Sequence, residues 1–164
     1  MSTRRTFISL FGSAAAARPL EARAQSDRVR RIGVLMGYPE SDSEAQTKIA
    51  AFRDGLQKLG WTESRNTRIE TRWATPVDAQ SMGRLAKELV ALVPDLILSS
   101  TTPTTAALLQ QTRTIPIVFA TVADPVGSGF VASFPRPGGN VTGFVVFEAS
   151  LPGKWLEQIG RAHV

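Results

Sequence analysis

Ser99, Ser100, Thr101 and Thr102 stand consecutively before Pro103 and together offer four hydroxyls and several backbone N–H groups. Pro103 suits the first turn of a helix and Thr102 is placed to cap it. These groups therefore gather at a helix start, where the dipole favours a carboxylate or another anion. Asp124 could receive an ammonium group, and Tyr38 could stack on a ligand. Each has a local alternative. The hydroxyls would equally serve as caps, Asp124 would equally begin an Asp-Pro turn, and Tyr38 would equally lie over a sheet edge. By themselves these residues allow a small polar ligand and no more.

Other chemistries lack their parts. The chain has no cysteine, which removes thiol nucleophiles, disulfides, zinc–thiolate clusters and a lipid-modified N-terminal cysteine. Its single histidine, His163, lies in the terminal "EQIGRAHV", so a hydrolase triad has no base within the folded body. The acidic residues are scattered without His or Cys partners, so neither a metal nor a cofactor is expected. The loop "MGYPES" after the first apolar run carries no glycine pattern for a nucleotide phosphate. A phosphoacceptor receiver would need acidic residues where Gly37-Tyr38 and Ser99–Thr102 stand. The chain reads as a non-enzyme.

A net charge of +5 points toward nucleic acid at first, but it is unevenly placed. Four of the 19 basic residues (Arg4, Arg5, Arg18 and Arg23) and one of the 14 acidic ones (Glu21) fall in the first 24 positions. The remainder holds 15 basic and 13 acidic residues, with no basic stripe and no helix-turn-helix pattern, so no nucleic acid is expected.

The elements that must position the polar loops alternate regularly. "RRIGVLMG", "DLILSS" and "IPIVFATV" are short apolar runs of the kind a parallel strand covered on both faces needs. Ile49, Phe52, Leu56 and Leu59, stopped by Gly60, predict a helix, as do Met82, Leu85, Leu89 and Leu92 before Pro94. Asn66–Trp73 alternates polar and less polar residues and predicts an edge-like strand. "TTPTTAALLQQ" opens a third helix, "ADPVGSGFVASF" is a loop with room for a short helix, and "RPGGNVTGFVVF" is a turn and a fifth strand. Glu148–Gln158 begins another helical stretch. Such alternation builds an α/β parallel sheet flanked by helices, whose ligands bind outside the strands' carboxyl ends. The loops to watch are Gly37–Ser43, Ser99–Thr105 and Thr121–Gly129.

Residues 1–24, "MSTRRTFISLFGSAAAARPLEARA", read as an export signal: a basic start, a weakly apolar run, and small residues at Ala22 and Ala24. Cleavage is expected after Ala24, leaving a periplasmic protein. Arg4 and Arg5 before Phe7-Ile8 resemble the twin-arginine motif. The apolar run is too short for a stable membrane anchor.

"RRIGVLMG", "DLILSSTTPTTAAL", "IPIVFATVADPVGSGFVASFPRPGGNVTGF" and "GKWLE" together resemble the bacterial ABC transporter substrate-binding proteins of the tryptophan-binding-like group. That resemblance implies the type I periplasmic-binding fold, in which two α/β lobes close on a ligand between them. It implies an extracytoplasmic solute-binding component that delivers a small solute, aromatic amino acids being the best-supported class, to a membrane permease with a separate ATPase. Carried over by position, Gly37, Tyr38, Ser100, Thr101, Thr102, Thr121 and Asp124 would form the N-terminal wall of the cleft. A ligand-sensing domain of a signalling receptor, which uses the same fold, is the alternative. The domains expected are the signal at 1–24, an N-terminal lobe at 25–148 and the start of an inter-lobe helix at 149–157, with the second lobe missing.

The tail at 158–164 fits another origin. Ile159–Val164 is what ATC-GGA-AGA-GCA-CAC-GTC encodes, a string that resembles the start of a common sequencing adapter. The adapter's preceding AG requires a codon for Lys, Gln, Glu or stop, and residue 158 is Gln. His163 is then expected to carry no function, and the natural protein to run on past Glu157.

Overall fold

A computed structural model describes residues 28–75 and 77–145. The expected signal with Arg4, Arg5, Ala22 and Ala24, the stretch 149–157, and the tail with His163 lie outside the described residues.

Five strands form one sheet in the order β2-β1-β3-β4-β5, with every neighbouring pair parallel. They are β1 (Arg30–Met36), β2 (Thr67–Trp73), β3 (Leu96–Ser99), β4 (Ile117–Val122) and β5 (Val141–Val145). Three helices fall between them in sequence: α1 (Ser43–Lys58), α2 (Ala79–Ala91) and α3 (Thr102–Gln111). This matches the alternation read from the sequence. Among the described residues, 123–140 carry neither helix nor strand, so the room for a short helix there is filled by turns.

Strand alternation divides the core. Ile32, Val34 and Met36 pack with Ala45 and Ile49 of α1 on one face. Leu35 and Ile97 point to the other face, where they join Met82, Leu85 and Leu89 of α2 and Leu108 of α3. The order of strands reverses between β1 and β3: α1 leaves β1 toward one face and α3 leaves β3 with α2 on the other. That divergence makes the carboxyl ends of β1 and β3 the switch point, the place where open α/β sheets bind ligands.

Each helix begins where its caps dictate. Asp42 accepts from the Ala45 amide at 2.8 Å, and Asp78 accepts from Ser81 at 2.8 Å. Two expectations need correction. Leu59, placed on the apolar face of the first helix by its spacing, is 77% exposed because α1 ends at Lys58 and Gly60 turns the chain away with φ +86°. The cap of α3 is Thr101, one residue before Thr102, which is itself the first helical residue.

β2 is an edge strand, as its alternation suggested. Its outward Arg68, Glu70 and Arg72 are tied into an ion-pair chain with Glu88 and Arg84 of α2 (Arg68–Glu70 2.6 Å, Arg72–Glu88 3.7 Å, Arg84–Glu88 2.6 Å). Charges along an exposed edge discourage strand addition. At the amino ends of β1 and β3, Asp95 accepts from the Arg31 amide at 2.9 Å and from Arg30 at 3.0 Å. Among the described residues no helix is long and apolar enough to cross a membrane.

Candidate functional site

The loops beyond β1, β3 and β4 are joined at Ser100. Its amide donates to the Leu35 carbonyl at 3.2 Å, and its hydroxyl accepts from the Gly37 amide at 2.8 Å. Its own carbonyl accepts from the Thr121 hydroxyl. Gly37, Ser100 and Thr121 are thus brought together by direct bonds, and Thr101 closes against them. A Cβ on Gly37 would sit 2.9 Å from Thr101 Cγ2, closer than real side chains approach, so the position needs glycine for want of space.

Thr101 is held by a hydroxyl cluster that the sequence reading did not isolate. Thr104 Oγ1 accepts from the Thr101 amide at 2.9 Å, and the Thr104 amide donates to Thr101 Oγ1 at 3.4 Å, a reciprocal capping box. Ser99 Oγ lies 2.8 Å from both Thr104 Oγ1 and Thr105 Oγ1, and all three residues are buried. The signal that could have found Thr104 was its place three residues after a threonine cap.

This cluster narrows what the helix start can offer a ligand. The Thr101 amide is bonded to Thr104, Pro103 has no N–H, and the Thr104 amide is capped by Thr101. The half-buried Thr101 and Thr102 remain the hydroxyl residues on the accessible side, whereas Ser100 is 6% exposed.

The other two candidates stand apart from the joint. Tyr38 follows Gly37 but packs against the α1 face of the core, with Lys48 Nζ 5.0 Å from its ring centroid. Asp124 is exposed, and its Oδ1 accepts from the Gly127 amide at 2.7 Å, the side-chain bond of an Asp-Pro turn. A shallow depression of about 590 Å³ lined by residues including Arg28, Arg31, Leu92 and Asp95 lies at the opposite, amino ends of the strands. At the switch point, by contrast, the loops after β1, β3 and β4 are joined through Ser100.

Comparison with known proteins decides the family. A family model described as ABC transporter substrate binding protein matches residues 34–154. The chain belongs to that family. The substrate-binding proteins are non-enzymatic and typically extracytoplasmic. Among relatives of this substrate-binding protein, a tyrosine-binding protein of Clostridioides difficile (strain R20291) is 32% identical over 123 residues, 74% of this chain and 34% of its own. An ABC domain of Streptococcus pneumoniae solved in complex with L-Trp is 29% identical with a TM-score of 0.65, over 71% of this chain and 38% of that one. A ligand-free, open substrate-binding protein with adhesive properties from Clostridium difficile is also 29% identical, with a TM-score of 0.68 over 80% and 43% of the two chains. The parallel five-stranded sheet flanked by helices therefore matches the α/β fold of periplasmic-binding-protein-like neighbours. The chain spans about a third of the length of its curated relative.

Proposed function

We propose that this chain supplies one wall of an extracytoplasmic solute receptor for an ABC uptake transporter, with a second lobe closing over the ligand. Its ligand is an aromatic amino acid, passed on to a membrane permease driven by a separate ATPase. The observation that carries this reading is the meeting of Gly37, Ser100, Thr101 and Thr121 at the sheet's switch point. The names of the tyrosine-binding relative and the L-Trp complex support the ligand class.

In this reading the ligand carboxylate meets the hydroxyls of Thr101 and Thr102, and its ammonium group meets the unshared oxygen of Asp124. Tyr38 borders the side chain. Affinity comes from burial between two walls, so one lobe alone binds weakly. The test is a thermal-shift panel of single amino acids on the full-length gene product, since a ligand that favours the closed native state raises its stability by mass action. L-tyrosine and L-tryptophan should stabilise it and L-lysine should not. Asp124→Ala should then weaken binding; an unchanged affinity removes the ammonium assignment. Export is proposed on the sequence of residues 1–24. The N-terminus of the exported protein, read by mass spectrometry, should be Gln25.

A further inference from the structure

We propose that Ser100 is a positioning residue that fixes the spacing between the β1 and β3 loops, and that it does not itself hold the ligand. The proposal rests on the reading of the switch point as the ligand wall. Backbone pairing between β1 and β3 ends at Leu35↔Ser99, and the even register between β3 and β4 ends at Ser99↔Phe119. Beyond those pairs the chain leaves the sheet to start α3, and the loops would be free to separate.

Ser100 carries both ladders one step further. Its hydroxyl takes the place of a strand carbonyl and accepts the Gly37 amide at 2.8 Å, extending the β1–β3 ladder with a side chain. Its carbonyl accepts the Thr121 hydroxyl, extending the β3–β4 contact along β4 beyond the last pair at Phe119. One residue thereby sets the spacing of three loops. Its exposure of 6% fits a joint better than a contact surface, and Gly37 is itself buried, so its amide would otherwise lack a partner. Holding recognition groups at a fixed separation before the ligand arrives reduces the ordering cost of binding.

The experiment compares wild type, Ser100→Ala, Ser100→Thr and Thr121→Val in the full-length gene product. Hydrogen exchange of the Gly37 amide and calorimetric affinity for L-tyrosine and L-tryptophan are the readouts, with global stability followed by denaturant. Ser100→Ala should speed Gly37 exchange and weaken affinity, each by about tenfold, out of proportion to any change in global stability. Ser100→Thr, which keeps the oxygen, should restore both. Thr121→Val, at a half-buried site, should weaken affinity without freeing the Gly37 amide; should Ser100→Ala fail to fold, unchanged affinity in Thr121→Val overturns the proposal. Weaker affinity with unchanged Gly37 exchange in Ser100→Ala makes Ser100 a direct contact and overturns it. Faster exchange with unchanged affinity also overturns it. If wild type binds neither amino acid, the reading of the wall as an aromatic amino-acid site has failed, which is visible before any variant is compared, and the positioning role falls with it.

Discussion

Gly143 lies so close against Phe119 on the neighbouring strand that a Cβ there would stand 2.6 Å from two carbons of the phenyl ring. The two residues are paired in register between β4 and β5, and Phe119 is fully buried. The Phe119 carbonyl oxygen, nearer still, and the ring together fill the space a side chain on β5 would take, so both the backbone and the side chain of the paired residue demand glycine here.

Gly143→Ala should therefore destabilise the lobe by about 1–3 kcal/mol through overpacking, even though alanine is ordinarily tolerated in a strand. The midpoint of urea unfolding reads this directly. A variant within error of wild type would mean that β5 can move away from β4 without cost.

Two other glycines should behave in the opposite way. Gly55 in α1 and Gly83 in α2 have nothing within 4 Å of a built Cβ. Alanine at either should stabilise the protein by roughly 0.5–1 kcal/mol, because it restricts the unfolded chain and meets no neighbour in the folded one.

Thr101→Ala should cost about 1–2 kcal/mol, toward the upper end for a cap, since the Thr104 amide loses its acceptor and the cluster beneath loses a member. Thermal unfolding measures this. Thr102→Ala, one position later, should change stability little.

Asp95 gives the acid dependence a sign. The Arg31 amide, and then the Arg30 guanidinium, hold its carboxyl below the usual carboxylate value. The folded-state value is thus depressed relative to the unfolded chain. The contribution is complete above the unfolded value and disappears as pH falls through the folded one. Asp95→Asn should be less stable than wild type at neutral pH, with the gap narrowing as the pH drops below about 4. Unfolding midpoints across that range would show it, and a gap independent of pH would contradict the assignment.

Much of this architecture is legible in residue order. Periodicity separates strands from helices because a strand repeats every two residues and a helix every 3.6. The runs ending at Met36 and Ser99 and the stripe Met82, Leu85, Leu89 needed nothing more. Leu59 misleads because spacing continues across a helix end that only the turn at Gly60 defines. Thr101 and Thr102 are chemically alike, so the choice of cap depends on a backbone dihedral that composition does not encode. The candidate loops were foreseeable from the rule for parallel sheets, but the joint at Ser100 was not. It depends on register between strands 64 residues apart in sequence (Ile32↔Leu96).

That same strand order determines how the chain must assemble. Among the described strands β1 leaves the ribosome first, yet it occupies an interior place, flanked by β2 and β3. Its partners begin 37 residues later for Arg30↔Thr67 and 64 residues later for Ile32↔Leu96. At roughly 5–20 residues per second of synthesis, the apolar run Ile32–Met36 waits seconds for its neighbours. Non-local parallel pairing of this kind is slow to form, so the apolar run of β1 stays bare until both neighbours are made.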